Sequence, residues 1–145
     1  MKRVFQTWIF LALSAILVFN TACNTSRRML GLEEGWELLS ERKVNFVRDK
    51  DEVFVTSRNL FTAIRFKVED KDVRINDLKV FFQNGDKLEP SLDDVITANQ
   101  YSKIIELARD GRAIEKIQFK YRSTGSILNG RANVVVIAQR YNPGY

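Results

Sequence analysis

From Trp36 onward, apolar and polar side chains alternate, and this pattern constrains the fold more than any other feature of the chain. The clearest stretch is FTAIRFKV, residues 61–68, where Thr62, Ile64, Phe66 and Val68 fall on one phase and Arg65 and Lys67 on the other. An extended strand points successive side chains to opposite faces, so this spacing buries one face and leaves the other in water. A helix would scatter the same apolar groups around its axis. Residues 113–122 repeat the pattern, with Ile117, Phe119 and Tyr121 set against Lys116, Gln118 and Lys120. The last segment, RANVVVIAQRY, is apolar from 134 to 138. A continuous apolar run of that length predicts a central strand covered on both faces.

Local irregularities refine this picture. In VRINDLKVFF, residues 73–82, Val73 and Ile75 lie on one phase while Leu78, Val80 and Phe82 lie on the other. A one-residue slip of this kind predicts a bulge near Asn76-Asp77. Asn84-Gly85 follows, a pair suited to a type I′ hairpin turn because both positions need positive φ. The return strand, Lys87 to Glu89, meets Pro90, which lacks an amide donor and so predicts a sheet edge. Asp70-Lys71 and Asp110-Gly111 read as turns.

Other stretches allow more than one reading. Residues 36–47, WELLSERKVNFV, fit one long strand or two joined by a bend, and the charged run Asp49–Glu52 reads as a turn into Val53-Phe54-Val55. Ser91 and Asp94 have the spacing of a capping box, which predicts one helical turn near 91–95, followed by a strand at 102–107. The total is about eight strands with turns every ten or so residues, an all-β antiparallel sandwich. Greek-key and jelly-roll orders both remain open.

The first 23 residues differ in kind. Lys2 and Arg3 precede an apolar run from Trp8 to Phe19, then small residues, then the only cysteine. This is the order of an export signal, and the apolar run is short for a membrane span. Phe19-Asn20-Thr21-Ala22-Cys23-Asn24 resembles a bacterial lipobox, which would make Cys23 a site of lipid attachment. Cleavage without lipidation and an uncleaved anchor are the alternatives. The expected organisation is a signal peptide at 1–23, a tether at 24–34, a β-sandwich domain at 35–141 and a tail at 142–145. The expected location is the bacterial cell envelope, as an outer-membrane or periplasm-facing lipoprotein held to the membrane by its lipid.

Composition removes several chemistries. There is no histidine and one cysteine, so neither a Ser-His-Asp or Cys-His arrangement nor a zinc site of the usual donors can be assembled. The net charge of +5 includes Lys2 and Arg3 of the leader. What remains is too evenly balanced for a nucleic-acid footprint, which needs clustered Lys and Arg. No cofactor, metal or catalytic residue is expected.

Apparent motifs fare no better. Gly125–Gly130 followed by Arg131-Ala132 lacks the Lys-Ser/Thr of a phosphate loop and leads into a strand. Ser40-Glu41-Arg42-Lys43 matches S-x-x-K, but on a strand that spacing puts Ser40 and Lys43 on opposite faces. Asp49/Asp51/Glu52 and Glu69/Asp70/Asp72 do not match a calcium loop and each includes a lysine. Among the aromatics, Trp36 and Tyr121 read as core. Tyr101 reads as exposed in a turn, a weak candidate for stacking on a ligand.

The ordered set WELLSERKVNF, FTAIRFKVEDKDVRINDLKVFFQNGD, ITANQYSKIIEL and AIEKIQFKY resembles a bacterial domain-of-unknown-function family of small exported β-sandwich proteins. Asn99-Gln100 stands where that family would have a Gly-rich turn. The resemblance implies the sandwich fold and lends no reaction. The functional expectation is therefore a non-catalytic envelope domain binding a protein or glycan, marked by an exposed aromatic or apolar patch on one sheet face. A structural accessory using a free edge strand and a hydrolase using paired carboxylates are the alternatives.

Overall fold

The computed structural model describes residues 31–43, 50–123 and 131–144. Cys23, the leader, most of the tether, Asp49 and the Gly125–Gly130 segment lie outside the described residues. Leu32–Tyr145 form one compact unit. It contains β1 (Trp36–Lys43), β2 (Lys50–Phe54), β3 (Phe61–Glu69), β4 (Val73–Phe82), β5 (Lys87–Leu88), β6 (Asp94–Ile96), β7 (Ile105–Glu106), β8 (Ile114–Ser123) and β9 (Asn133–Arg140).

Two antiparallel sheets are formed. The first has the order β1-β9-β3-β7, and the second β2-β8-β4-β5 with β6 also on β4. Strand pairs are nested: β1 with β9, β2 with β8, β3 with β7, and β4 with β5 and β6. A chain doubled back at β4/β5 and rolled so that alternate pairs enter alternate sheets is a jelly roll. This settles the order that the sequence left open. β5 and β6 share one strand position, meeting the two halves of β4, and Pro90 lies between them at the edge.

The core follows the predicted phases. Ile64, Phe66 and Val68 from the first sheet meet Val80, Ile117, Phe119 and Tyr121 from the second, all essentially inaccessible. Phe66 and Phe119 join the sheets edge to face at 5.3 Å, and Tyr121 adjoins Phe119 at 5.9 Å. β9 is central, with Val134 through Ala138 fully buried, because β1 and β3 flank it and both faces are covered.

The bulge in β4 falls where the phase slips, between Ile75 and Asp77. Three further irregularities lie at Leu39, Thr62 and Glu115, so Thr62 leaves the phase expected of it. The hairpin at Asn84-Gly85 is present, but its turn is of another class. Gly85 alone has positive φ (89°), its N–H bonds to Phe82 O at 3.0 Å, and Phe82 N–H bonds to Asp86 O at 3.0 Å. That is a three-residue loop ending in a left-handed glycine. Asn84 acts through its side chain, accepting from Asp86 N–H at 3.0 Å.

Other expectations are corrected. Residues 94–96 are strand, because their backbone pairs with Val73–Ile75 and overrides the capping-box pattern. The strand expected at 102–107 shrinks to Ile105-Glu106, and Lys50–Glu52, expected in a turn, open β2 against β8. Asn99 adopts φ 63° and its N–H bonds to Val68 O at 2.7 Å, taking the left-handed place a glycine would fill. Tyr141, at the expected end of the domain, is held by an N–H bond to Leu60 O at 2.8 Å. Its side chain lies so close to Gly111 (φ 70°) that a Cβ there would stand 2.6 Å from Tyr141 Cβ. The chain enters and leaves the sandwich side by side, with Arg140 N–H bonding to Gly35 O at 2.8 Å.

Candidate functional site

Each sheet has an outer face, and the two are built differently. On the first sheet, Arg65 belongs to the phase predicted to face water, yet it is only 8% exposed. Its guanidinium lies 4.2 Å from the Trp36 ring and 4.1 Å from the Tyr101 ring, between the two. Glu33 Oε2 stands 3.2 Å from Nη2, within ion-pair distance but not aligned for a hydrogen bond, so Nε and Nη2 have no hydrogen-bond partner. The planar, weakly hydrated guanidinium suits this stack, where an ammonium would not. Lys67 lies 5.7 Å from the Tyr101 ring and pairs with Glu69 at 3.2 Å.

This arrangement corrects two readings. Trp36 is buried, as expected, but outside the main core and against a cation. Tyr101 is half-buried and bridges to Lys67 in the backbone. One side of its ring therefore already holds Arg65.

The outer face of the second sheet is a grid set by strand register. Lys50 stands opposite Lys120, which stands opposite Asp77. The next row is Glu52, Gln118 and Lys79. The third is Phe54, Lys116, Phe81 and Lys87. Beyond the β4 bulge, Arg74 stands opposite Arg122. An open groove of about 240 Å³ runs among Lys50, Asp77, Lys79, Phe81, Lys87, Gln118 and Lys120.

Carboxylates bind some of these cations. Lys120 meets Asp77 at 3.1 Å, Lys79 meets Glu89 at 3.3 Å, and Lys87 shares Glu89. Lys116 meets Glu52 at 3.4 Å, and Arg74 meets Asp93 at 3.4 Å. The face thus sets seven cations, Lys50, Lys79, Lys87, Lys116, Lys120, Arg74 and Arg122, against Glu52, Asp77, Glu89 and Asp93. The hydrogen bond from Gln118, followed by the charge of Lys116, holds the Glu52 carboxyl below the usual range. Hydrogen bonds from Lys87 and Lys79 do the same for Glu89.

Phe54 is 64% exposed, and Phe81 is half-buried. Lys116 Nζ lies 4.9 Å from the Phe81 ring and 5.8 Å from the Phe54 ring, so a cation sits between two aromatic rings. Sequence reasoning placed Lys116, Gln118 and Lys120 on a solvated face but singled out neither Phe54 nor Phe81. Their identifiable trace is phase: each continues the polar register of its strand.

A wider depression of about 700 Å³ lies by Glu34, Asn59, Leu60, Arg140 and Tyr141. Its surroundings include a 2.6 Å hydrogen bond from Asn59 to Glu37. Members of both acidic clusters are engaged elsewhere: Asp72 accepts from Ala98 N–H at 2.8 Å, and Glu69 and Glu52 pair with lysines. Ser40 and Lys43 pair with Val136 and Asn133, three places apart on extended backbone.

Fold and surface together define a small all-β jelly-roll domain with one closed and one open outer face. The chain belongs to the domain of unknown function family DUF2541, whose model matches residues 10–138. No curated protein matches it. Among solved structures, AlgX from Pseudomonas aeruginosa is similar at 13% identity and a TM-score of 0.46, over 71% of this chain and 26% of that one. The chain thus spans about a quarter of the length of that structure.

Proposed function

We propose that this is a non-catalytic binding domain of the bacterial cell envelope, anchored through a lipid on Cys23, which presents the outer face of its second sheet to a protein or glycan partner. The reading rests on Phe54 and Phe81 flanking Lys116 beside an open groove. Large apolar groups kept in water mark interaction surfaces when they gather with placed polar groups. The leader and its terminal cysteine supply the reason for the location.

Crosslinking in intact envelopes tests the surface, and mass spectrometry of the mature N-terminus tests the anchor. The expected results are a crosslinked partner that disappears in Phe54→Ala and a diacylglyceryl group on Cys23. A partner captured equally by the parent and by Phe54→Ala would falsify the assignment of this face. A processed chain without lipid at Cys23 would remove the anchor.

A further inference from the structure

Building on that binding role, we infer that the groove on the second sheet takes an acidic polysaccharide, a chain of sugars carrying carboxylates. Lys50 and Lys120 face each other directly across β2 and β8, and Asp77 serves only Lys120. Lys50 makes no ion pair among the described residues, and the charge of Glu52, two places along β2, acts on it only from beyond ion-pair distance. Like charges directly opposite destabilise a sheet. Arg74 and Arg122 repeat the arrangement one step beyond the bulge. Asp77 and Asp93 answer one cation of each pair, and a carboxylate lying along this face answers the other.

The rest of the grid selects a sugar among anions. Glu52 and Gln118 lie between the lysine row and the aromatic row, bonded to each other, and the Gln118 carbonyl, its second N–H and the remaining Glu52 lone pairs suit hydroxyl groups. Glu52, Asp77, Glu89 and Asp93 interrupt the positive charge, which disfavours a duplex nucleic acid or an anionic lipid surface, since these call for nearly unbroken positive charge. Phe54 and Phe81 give flat apolar surfaces on either side of Lys116, fitting the C–H faces of sugar rings. Rows on one strand face repeat about every 7 Å and neighbouring strands about every 5 Å, so charge, hydroxyl and ring contacts lie within reach of one short oligosaccharide.

The test is affinity electrophoresis of the purified full-length chain through gels holding polygalacturonate or hyaluronate. Fully methyl-esterified polygalacturonate provides the uncharged control. Retardation by at least one carboxylated polymer is expected, weakening with salt and absent with the ester. The double variant Lys50→Gln/Lys120→Gln is expected to bind about tenfold more weakly, because two charge-assisted contacts are lost. Its thermal midpoint is expected to stay close to the parent's, since relief of the like-charge pair offsets loss of the exposed Lys120–Asp77 ion pair, which separates lost binding from lost fold.

Retention by neither acidic polymer, equal retention by the ester, or an unchanged double variant overturns the inference. So does tighter binding to phosphatidylglycerol vesicles or single-stranded DNA than to both polymers. If the acidic polymers fail while Phe54→Ala still abolishes the envelope crosslink, the binding role stands and only the acidic glycan is wrong. If both fail, the outer face of the second sheet is not a binding surface.

Discussion

The two outer faces of this jelly roll use the same alternation to opposite ends. On the first sheet, Arg65 is enclosed by Trp36 and Tyr101 and answered by Glu33. On the second, lysines stand in an open groove, two of them directly opposed, beside the half-buried ring of Phe81. Cation chemistry explains the contrast. A guanidinium is flat and tolerates desolvation between rings, whereas an ammonium is compact, strongly hydrated and keeps its head in water. A basic residue on the outer phase of a strand is thus a structural clamp in one place and a presented charge in another.

The largest expected effect comes from breaking the clamp. Arg65→Ala should destabilise the domain by about 2–3 kcal/mol, through lost packing on both rings and lost charge pairing. Chemical denaturation measures it, and Lys79→Ala on the open face should cost less than about 1 kcal/mol by the same method. Equal losses at the two positions would erase the distinction between the faces. A double-mutant cycle with Trp36→Ala and Arg65→Ala should give a coupling of about 1 kcal/mol.

Smaller effects belong to the open face. Lys50→Gln alone should raise stability by a few tenths of a kcal/mol, as relief of a like-charge pair does. A measurable loss would mean that the attraction between Lys50 and Glu52 outweighs the repulsion from Lys120. The Glu52 and Glu89 carboxyls should titrate below the ordinary glutamate range when followed by NMR, and Gln118→Ala should move Glu52 back upward. Because their folded-state values are depressed, any contribution they make to stability is present above the unfolded-state value and is lost as pH falls through the folded one. Midpoints should therefore be insensitive to these two groups at neutral pH and decline only in acid.

Much of the architecture was legible in the sequence because burial leaves a period. The inward Ile64, Phe66 and Val68 of β3, the faces of β8, the two-sided burial of β9 and the slip in β4 were all readable from phase alone. Long-range pairing was not. Residues 94–96 carry a helix-start pattern, and only their meeting with Val73–Ile75 makes them strand. Jelly-roll order depends on which strands meet across the whole chain, and no local spacing records it.

The candidate site was half legible. Lys116, Gln118 and Lys120 fell on the correct face, but the rows they form with Phe54 and Phe81 come from register between β2, β8 and β4. Tyr101 looked free because the residues near it in sequence are polar. Its ring partner, Arg65, lies far away in the chain.

The bond between Gly35 and Arg140 has a practical corollary. A module whose entry and exit points touch can be spliced into a surface loop of a carrier without stretching the host. Pulling on its two ends loads β1 and β9 first, strands that pair along their length. Mechanical failure should therefore begin by parting that pair, while the sheet bearing the groove is still assembled.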